Sequence, residues 1–215
     1  MTSEPTGATG GETFARTDPQ CSIDPTLGPG VVDWALGWAV DLPGRGRALE
    51  IGCGVGRNTV HLARHFGHVD GVDVTATMVH SARQRALAPN VRLHALSGRD
   101  LQPLPDGVYD LVFSHLGFQH IAAESDIAGY LRETGRVLRR GGVAVLQFDT
   151  RPSSRLVSLF QRLPDAARLG DRRASIRGHR RSAQAIRAAG AAGGLALEAE
   201  HDPATADHFM RWRKP

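Results

Sequence analysis

Three glycines at alternate positions most constrain how this chain can fold. Gly52, Gly54 and Gly56 follow a short apolar run, Arg47–Ile51, and a segment with helical periodicity, Asn58–Arg64, begins just after them. Because glycine has no Cβ atom, it lets the backbone turn sharply and approach a ligand closely. The pattern predicts a buried strand, a turn, and a helix whose first amide groups face that turn. We therefore expect a small polar ligand to bind at the turn.

Two common nucleotide sites are excluded, one by the spacing of these glycines and the other by the position of the single lysine. A dinucleotide-binding turn has the pattern Gly-x-Gly-x-x-Gly. Counted from Gly52 its third glycine would fall on Arg57, and counted from Gly54 it would fall on Thr59. A P-loop needs Gly-Lys followed by Ser or Thr, but the single lysine of the chain is Lys214.

The glycine turn resembles the first motif of the class I S-adenosylmethionine-dependent methyltransferases, acid-x-Gly-x-Gly-x-Gly, here Glu50 to Gly56. The resemblance implies a ligand with a zwitterionic methionine end in place of a pyrophosphate. We expect Glu50 to face the ammonium group of that ligand. Arg57 and the amide groups of Gly52, Gly54 and Gly56 are expected to face its carboxylate.

A second acid, Asp73, ends the next short apolar segment. A carboxylate at the tip of the second parallel strand can accept hydrogen bonds from both ribose hydroxyls. Thr75 is expected to cap the following helix, Ala76–Arg83. Met78, one turn into that helix, is expected to cover the adenine ring, and the neighbouring Val74 is a further candidate for the cofactor site.

The third predicted strand leads into a segment that departs from the family. The family usually has an acid at the position of Ser97, where it accepts a hydrogen bond from the adenine amino group. Three substitutes are open: the Ser97 hydroxyl, the Asp100 carboxylate, or the main-chain amides of Gly98 and Arg99. Adenine recognition is therefore expected somewhere in residues 97–100.

The resemblance continues in the order of the downstream elements, from about residue 45 to the C-terminus. The predicted elements are a strand at Leu111–Ser114, a helix ending at Arg139–Gly142, a strand at Val143–Phe148, a helix from Ser182 to about Gly193, and strands at Leu195–Glu200 and His208–Arg213. This order implies an α/β, doubly wound, mostly parallel seven-stranded sheet with one antiparallel strand, the Rossmann-like methyltransferase fold. Ser114, at the tip of the fourth strand, completes the expected cofactor site.

Length and composition favour one domain. The chain has 215 residues, of which 41% are hydrophobic, enough to bury a single sheet under helices. We expect a mobile N-terminal segment over residues 1–24 and a single methyltransferase domain over residues 25–215. Residues 25–44 would form an N-terminal cap helix and residues 150–181 an insertion on the acceptor side.

The cap helix carries two tryptophans four residues apart, Trp34 and Trp38, which places them on one helix face. They could pack against the sheet or form an aromatic lid over an apolar acceptor. Tyr109 and Phe118 are further candidates for the same wall.

The net charge of +4 and the pI near 9.8 raise the question of nucleic acid. The arginines are spread along the chain, with one concentration between the fifth strand and the next helix: Arg151, Arg155, Arg162, Arg168, Arg172, Arg173, Arg177, Arg180 and Arg181. They could hold an anionic acceptor or form a solvated basic face. Nucleic-acid binding usually adds interleaved aromatic residues or a known module, and an aromatic content of 6% argues against it.

Cysteines and apolar runs set further expectations. Cys21 and Cys53 are not expected to form a disulfide, and their spacing does not fit a metal site, so we expect no metal. We expect Cys53 to be a small residue beneath the cofactor. No signal-like segment or membrane-length apolar run is evident, so a soluble, cytoplasmic protein is expected.

Methyl transfer from a sulfonium is an in-line displacement that depends mainly on proximity and orientation. A general base is needed only when the acceptor must lose a proton. His115 and His120, after the fourth strand, are the candidate bases. His120 could equally pin its loop by a structural hydrogen bond. Asp149 and His179 are two further candidates.

The expected activity is methyl transfer from S-adenosylmethionine to an oxygen or nitrogen of a small-molecule acceptor, with an anionic acceptor as one form of it. The lack of a large recognition domain favours a small acceptor over a macromolecule. Two alternatives stay open. One is a nucleic-acid or protein methyltransferase that uses the arginines of residues 151–181, and the other is a protein that binds S-adenosylmethionine without methyl transfer. The acceptor and the oligomeric state are not predicted.

Overall fold

The computed structural model describes residues 30–39, 41–85, 87–152 and 179–215. Within them, seven strands form one sheet in the order β3-β2-β1-β4-β5-β7-β6. The strands are β1 (Arg47–Ile51), β2 (His68–Asp73), β3 (Val91–Ala95), β4 (Tyr109–Ser114), β5 (Leu138–Phe148), β6 (Ala196–His201) and β7 (His208–Arg213). β7 runs antiparallel to both of its neighbours, and the other adjacent pairs are parallel. The predicted sheet is confirmed.

Helices cover both faces of this sheet. They are α1 (Gly30–Trp38), α2 (Arg57–Leu62), α3 (Ala76–Gln84), α4 (Glu124–Val137) and α5 (Ala183–Ala192), with a short 3₁₀ turn at Phe118–His120. The predicted mobile segment, residues 1–24, lies outside the described residues. So do residues 25–29 of the predicted cap helix and residues 153–178 of the predicted insertion.

Alternation along the strands divides the core between the two faces. Ala48 packs in a cluster with α1 and α2, whereas Leu49 and Ile51 pack in a cluster with α4 and α5. Because successive strand residues point to opposite faces, Glu50 lies on the same face as Ala48, beneath α2. The alternation of side chains along β1 thus buries the Glu50 carboxyl group directly under the glycine turn.

The predicted end of the α4 helix and the predicted start of the β5 strand were wrong. α4 ends at Val137, and Leu138 already pairs with Tyr109 at the start of β5, so Arg139–Gly142 belongs to the strand. Lys214 explains the shift, since its ammonium group donates to the Leu138 carbonyl at 2.7 Å and its N–H donates to Gly142. These contacts extend the sheet and satisfy carbonyls at the helix end.

The caps of α3 and α5 differ from each other. Thr75 occupies the N-cap position of α3, but its side chain makes no capping hydrogen bond. The Asp73 carboxylate instead accepts the Thr75 N–H at 2.8 Å. The Ser182 cap of α5 is as predicted, because its hydroxyl accepts the Ala185 N–H at 3.4 Å.

Two aromatic residues predicted for an acceptor wall pack elsewhere. Tyr109 is fully buried at the amino end of β4, where its hydroxyl donates to Asp70 at 2.7 Å. Phe118 is buried against Tyr130 and Phe148. Both belong to the core on the α4 and α5 face.

Candidate functional site

The glycine turn follows β1 and needs glycine at each of its three alternate positions. Gly52, Gly54 and Gly56 have φ angles of 77°, 52° and 82°, which side chains rarely adopt. A Cβ atom on Gly52 would lie 2.9 Å from the Gly117 Cα atom, and one on Gly56 would lie 2.5 Å from Leu87. A Cβ on Gly54 would meet nothing within 4 Å. The outer two glycines therefore allow close packing, while Gly54 leaves room for a ligand.

Asp73 is fixed beside this turn. It ends β2, and its carboxylate accepts the N–H groups of Gly54 and Thr75, each at 2.8 Å. The two bonds use one site on each oxygen, and an ionised carboxylate offers about four such sites. Asp73 can therefore hold the turn and still accept hydrogen bonds from ribose hydroxyls.

Glu50 lies beneath the turn with 1% of its surface exposed. Burial raises its pKa to about 8, although hydrogen bonds from the Thr59 hydroxyl and the Asn58 side chain and the charge of Arg57 oppose the rise. The carboxyl group of the protein alone is thus largely protonated at neutral pH. A cation that approached it would favour the ionised form.

Cys53 is the small residue that the turn requires, but it packs away from the ligand side. It contacts a cluster of Val79, Ala82 and Leu93. A Cβ on Gly71 would lie 3.0 Å from the Cys53 Cβ, so neither position has spare volume. Burial raises the pKa of the thiol, which keeps it protonated and unreactive.

The segment after β3 lies against the tip of β2. The Leu96 N–H donates to the Asp73 carbonyl at 2.9 Å, and a Cβ on Gly98 (φ 87°) would lie 2.9 Å from Val74. Val74 is 59% exposed, the one large apolar side chain so exposed among the described residues. Met78 is half-buried in the first turn of α3. Val74 and Met78 are thus available to cover a flat ring.

The residues expected to recognise adenine are partly occupied by local turns. The Ser97 hydroxyl accepts the N–H of the exposed Arg99 at 3.4 Å, and Asp100 accepts the Gln102 N–H at 3.1 Å. The four-residue segment 97–100 nonetheless adjoins the exposed Val74 through Gly98.

The loop after β4 packs against the glycine turn. Ser114 is fully buried, and its hydroxyl donates to the Ile51 carbonyl at 2.8 Å. A Cβ on Gly117 would lie 2.9 Å from the Ser114 oxygen, 3.0 Å from the Ile51 oxygen and 3.4 Å from the Gly52 Cα atom. The hydroxyl of Ser114 therefore joins β4 to β1 and is turned away from a ligand.

His115 is the buried titratable group of this loop, with 6% of its surface exposed. Its ring stacks on Phe209 with centroids 5.8 Å apart and planes 10° apart. Its Nδ1 atom has no hydrogen-bond partner among the described residues. Burial lowers the pKa of His115 to about 4, Asp207 opposes this, and Arg57 adds to it. The imidazole is neutral at physiological pH and can accept a proton or a hydrogen bond.

His120 differs from His115 in its exposure to solvent. It ends the 3₁₀ turn, is exposed, and lies 3.5 Å from the Gln119 amide nitrogen. Desolvation lowers its pKa, and the charge of Asp73 opposes the change.

The other two candidate bases, Asp149 and His179, contact neighbouring residues through a side chain and through the main chain, respectively. Asp149 is buried and binds the Arg151 guanidinium through both oxygens, at 3.0 and 2.6 Å. The His179 N–H donates to the Gln119 carbonyl at 2.6 Å, which brings the chain back to the β4 loop. Neither residue has an advantage over His115 as a base.

The described arginines of the basic segment are engaged by the protein. Arg151 binds Asp149, Arg180 donates to the Pro152 carbonyl at 3.2 Å, and Arg181 donates to the carbonyls of Ile121 and Ala122. The other arginines of the segment lie outside the described residues: Arg155, Arg162, Arg168, Arg172, Arg173 and Arg177.

Trp34 and Trp38 stack on each other with ring centroids 5.2 Å apart. Both are half-buried against the core cluster of α1 and α2, and Trp34 lies 4.9 Å from Phe209. Packing against the sheet is therefore their main role. Through Phe209, however, they also support the ring on which His115 stacks.

Sequence reasoning missed the residues that orient the predicted ones. Thr59 binds Glu50, Gly117 packs on Gly52, and Gln147 binds the N–H of Leu116 at 2.8 Å. One signal was available, because Gln147 is the only polar residue in the apolar run Val143–Phe148. Such a residue in a buried strand must bind something.

Two classes of feature are absent from the part of the chain that the structure describes. No group of three or more His, Cys, Asp or Glu side chains there could hold a metal ion. No helix there is long and apolar enough to cross a membrane.

Comparison with known proteins agrees with this geometry. Residues 49–146 match the family model described as a methyltransferase domain. The chain is 32% identical over 126 residues to the S-adenosyl-L-methionine-dependent Diels-Alderase iccD of Talaromyces variabilis, covering 55% of this chain and 41% of that protein. It is 30% identical over 152 residues to the 2-phytyl-1,4-naphtoquinone methyltransferase of Nostoc sp. (strain PCC 7120), covering 64% of each. The chain thus spans less than two thirds of either relative.

A solved structure shows a similar arrangement over most of the chain. The crystal structure of the YcgJ protein from Bacillus subtilis superposes with a TM-score of 0.63 at 25% identity, over 79% of this chain and 69% of that one. The residues that match the family model include the glycine turn, the acid that ends β2 and the tip of β4. The fold brings these three features to one edge of the sheet. The chain therefore carries a class I S-adenosylmethionine-dependent methyltransferase domain, with S-adenosylmethionine as its cofactor.

Proposed function

We propose that this protein transfers the methyl group of S-adenosylmethionine to an oxygen or nitrogen atom of a small-molecule acceptor. The observation that carries the proposal is His115. A neutral, nearly buried imidazole lies directly after β4, and its Nδ1 has no partner among the described residues. An acceptor that carries a hydroxyl or amine could donate a hydrogen bond to that atom.

The cofactor would lie across the carboxyl ends of β1, β2 and β4. Glu50 would neutralise its ammonium group, and Arg57 with the amides of the turn Gly52–Gly56 would bind its carboxylate. Asp73, already held in place by Gly54 and Thr75, would accept the ribose hydroxyls.

The adenine ring would lie on the other side of Asp73. Val74 and Met78 would cover its face, and the amides of Gly98 and Arg99 would reach its edge. The exposure of Val74 supports this assignment, because burying an apolar side chain of that size is favourable. Ser114 would act by joining the turn to β4 rather than by touching the ligand.

Little charge has to be created when a sulfonium methyl group is transferred, so positioning supplies most of the rate. The bond from the acceptor atom to the methyl carbon forms as the bond from that carbon to sulfur breaks, and S-adenosylhomocysteine leaves. His115 would accept the proton that a hydroxyl or amine acceptor loses. His120, exposed on the same loop, would be the alternative base.

Small-molecule chemistry is supported by the naphthoquinone methyltransferase among the relatives. The three described arginines of the basic segment give little support to an anionic acceptor, because Arg151, Arg180 and Arg181 already bind protein groups. The same contacts weaken the case for a nucleic-acid acceptor.

The test is a screen of small hydroxylated and amine-bearing compounds for S-adenosylhomocysteine release, run on wild type, His115→Gln and His120→Gln. We expect His115→Gln to lower turnover about 100-fold with unchanged cofactor affinity, and His120→Gln to lower it less. Equal turnover in wild type and His115→Gln would contradict the role of His115.

In calorimetry, Asp73→Ala should abolish cofactor binding while the protein stays folded.

A second function has specific support. One relative is named as an S-adenosyl-L-methionine-dependent Diels-Alderase, so a domain similar to this one occurs in a protein named for another reaction. In that case the bound sulfonium would organise the acceptor pocket without giving up its methyl group. Tight cofactor binding with no S-adenosylhomocysteine formed from any acceptor would favour this alternative.

A further inference from the structure

Gln147 is a fully buried amide in the middle of β5, and it contacts two loops. Its Oε1 atom accepts the Leu116 N–H at 2.8 Å, and its Nε2 group donates to the Ala206 carbonyl. One partner is a donor and the other an acceptor, so a single orientation of the amide satisfies both.

Each of these two loop residues lies close in sequence to one of two stacked rings, His115 after β4 and Phe209 in β7. Leu116 directly follows His115, and Ala206 lies three residues before Phe209. His115 and Phe209 stack with their planes 10° apart. Gln147 itself pairs with Phe209 between β5 and β7. The amide therefore fixes the segment on each side of this ring pair.

Leu116 is held in a conformation that leucine seldom adopts. Its φ angle is 64°, in the left-handed region, where a side chain is disfavoured. A residue stays there only when its surroundings hold it. The Gln147 bond to the Leu116 N–H is the contact that can do so from the core.

The left-handed conformation of Leu116 also sets how closely the β4 loop packs against the glycine turn. It directs the next residue, Gly117, against the glycine turn, where a Cβ on Gly117 would lie 3.4 Å from the Gly52 Cα atom. If Leu116 relaxed to a right-handed conformation, Gly117 would leave this position. The loop would then lose its contact with the glycine turn and the alignment of His115 together.

We infer that Gln147 is the positioning residue of the site: it holds Leu116 in its left-handed conformation and so sets His115 and Gly117 against the cofactor turn. It touches neither the cofactor nor the acceptor. The catalytic meaning of this role rests on the proposed function of His115, but its structural effect can be measured without any acceptor.

The experiment follows the His115 ring by NMR in protein labelled with ¹³C-histidine, assigned by the signal lost in His115→Gln. Affinity for S-adenosylhomocysteine, which cannot transfer a methyl group, is measured by calorimetry on the same samples. Gln147→Met keeps the volume and removes both hydrogen bonds. Thr134→Val is the matched control, because it removes another buried hydrogen bond, from the Thr134 hydroxyl to the Tyr130 carbonyl within α4.

In Gln147→Met we expect the titration midpoint of His115 to rise by about one unit toward its ordinary value, because the ring gains access to water. We also expect S-adenosylhomocysteine affinity to fall about tenfold. Adding Leu116→Gly should recover about fivefold of that affinity, because glycine adopts a positive φ without strain. Thr134→Val should change only the unfolding midpoint.

The inference is overturned if Gln147→Met and Thr134→Val behave alike, with lower stability but wild-type His115 titration and affinity. Should Gln147→Met not fold, Gln147→Glu replaces it. A protonated glutamic acid keeps both contacts and an ionised one cannot donate to Ala206, so its affinity relative to wild type should fall between pH 6 and pH 8.5; a constant ratio also overturns the inference. A changed His115 titration without methyl transfer to any acceptor would uphold the inference and count against the proposed function.

Discussion

Two buried carboxyl groups lie on adjacent strands and on opposite faces of the sheet, and their surroundings differ. Asp70 in β2 contacts four side chains: Arg47 at 3.4 Å, His68 at 3.2 Å, His94 at 2.8 Å and Tyr109 at 2.7 Å. Glu50 in β1 accepts hydrogen bonds from Thr59 and Asn58 among the described residues. Both are almost completely buried, at 2% and 1% exposure.

The difference appears in their pKa values. Burial opposes ionisation of Asp70, but hydrogen bonds from His94 and Tyr109 and the charges of His68 and His94 outweigh it and lower its pKa to about 2. Burial dominates at Glu50 and raises its pKa to about 8. The Asp70 carboxylate thus joins β2 to β1, β3 and β4 near the amino end of the sheet. Glu50 lies at the opposite end, where a cationic cofactor would favour its ionised form.

The largest effect is expected for Glu50→Gln at alkaline pH. Folding raises the pKa of the Glu50 carboxyl from 4.5 to about 8, so its ionisation above pH 8 destabilises the folded protein. The neutral variant avoids this cost, so without cofactor it should be about 4 kcal/mol more stable than wild type at pH 9 and nearly equal at pH 5. Urea unfolding at both pH values measures this. A constant difference would show that Glu50 is already ionised in the free protein.

Asp70→Asn should have the opposite sign. Since folding lowers the pKa of Asp70 from 3.8 to about 2, its stabilisation is present above pH 4 and is lost as the pH falls toward 2. We expect the variant to lose about 2 kcal/mol of unfolding free energy at pH 7 and to approach wild type near pH 2. Affinity for S-adenosylhomocysteine should stay unchanged. A loss of affinity equal to that of Asp73→Ala would mean that the two ends of the sheet are coupled.

Cofactor binding should release a proton from Glu50. An ammonium group placed beside this carboxyl favours its ionised form, so nearly one proton should leave per S-adenosylhomocysteine bound at pH 7. Calorimetry in buffers of different ionisation enthalpy counts the protons. Glu50→Gln is the control and should release close to none. Equal release by both proteins would exclude Glu50 as the source.

The smallest effect is expected for Thr59→Val, which keeps the shape of the side chain and removes the hydroxyl that binds Glu50. Since that hydrogen bond lowers the pKa of Glu50, its loss should raise the pKa further and weaken S-adenosylhomocysteine binding at pH 7 by about 1 kcal/mol. At pH 9 the stability of the variant should fall below that of wild type. Unchanged proton release and affinity would indicate that Asn58 alone supports Glu50.

The fold and the cofactor side were predictable because their signals are local. Alternating glycines, an acid at the end of a strand and the period of β7 can each be read within a few neighbouring residues. The prediction of His208–Arg213 as a strand matches β7 in both bounds. The roles assigned to individual cofactor-site residues stay predictions.

The supporting contacts were not predictable because they join distant parts of the chain. Lys214 binds a carbonyl 76 residues away, the Gln147 contact to Leu116 spans 31 residues, and Tyr109 lies 39 residues from Asp70. A motif does not report which of its neighbours it touches. For that reason the predicted α4 is too long, and Tyr109, a candidate for the acceptor wall, packs in the core instead.

The hydrogen bond between Gly54 and Asp73 has a consequence for how mutants of this family should be interpreted. The Asp73 carboxylate holds the glycine turn in place, so removing it also frees the backbone that the ligand would touch. Alanine at this position would therefore report the loss of a ligand contact and the loosening of the receptor together. Asp73→Asn, which can keep one acceptor oxygen for the turn, would separate the two contributions.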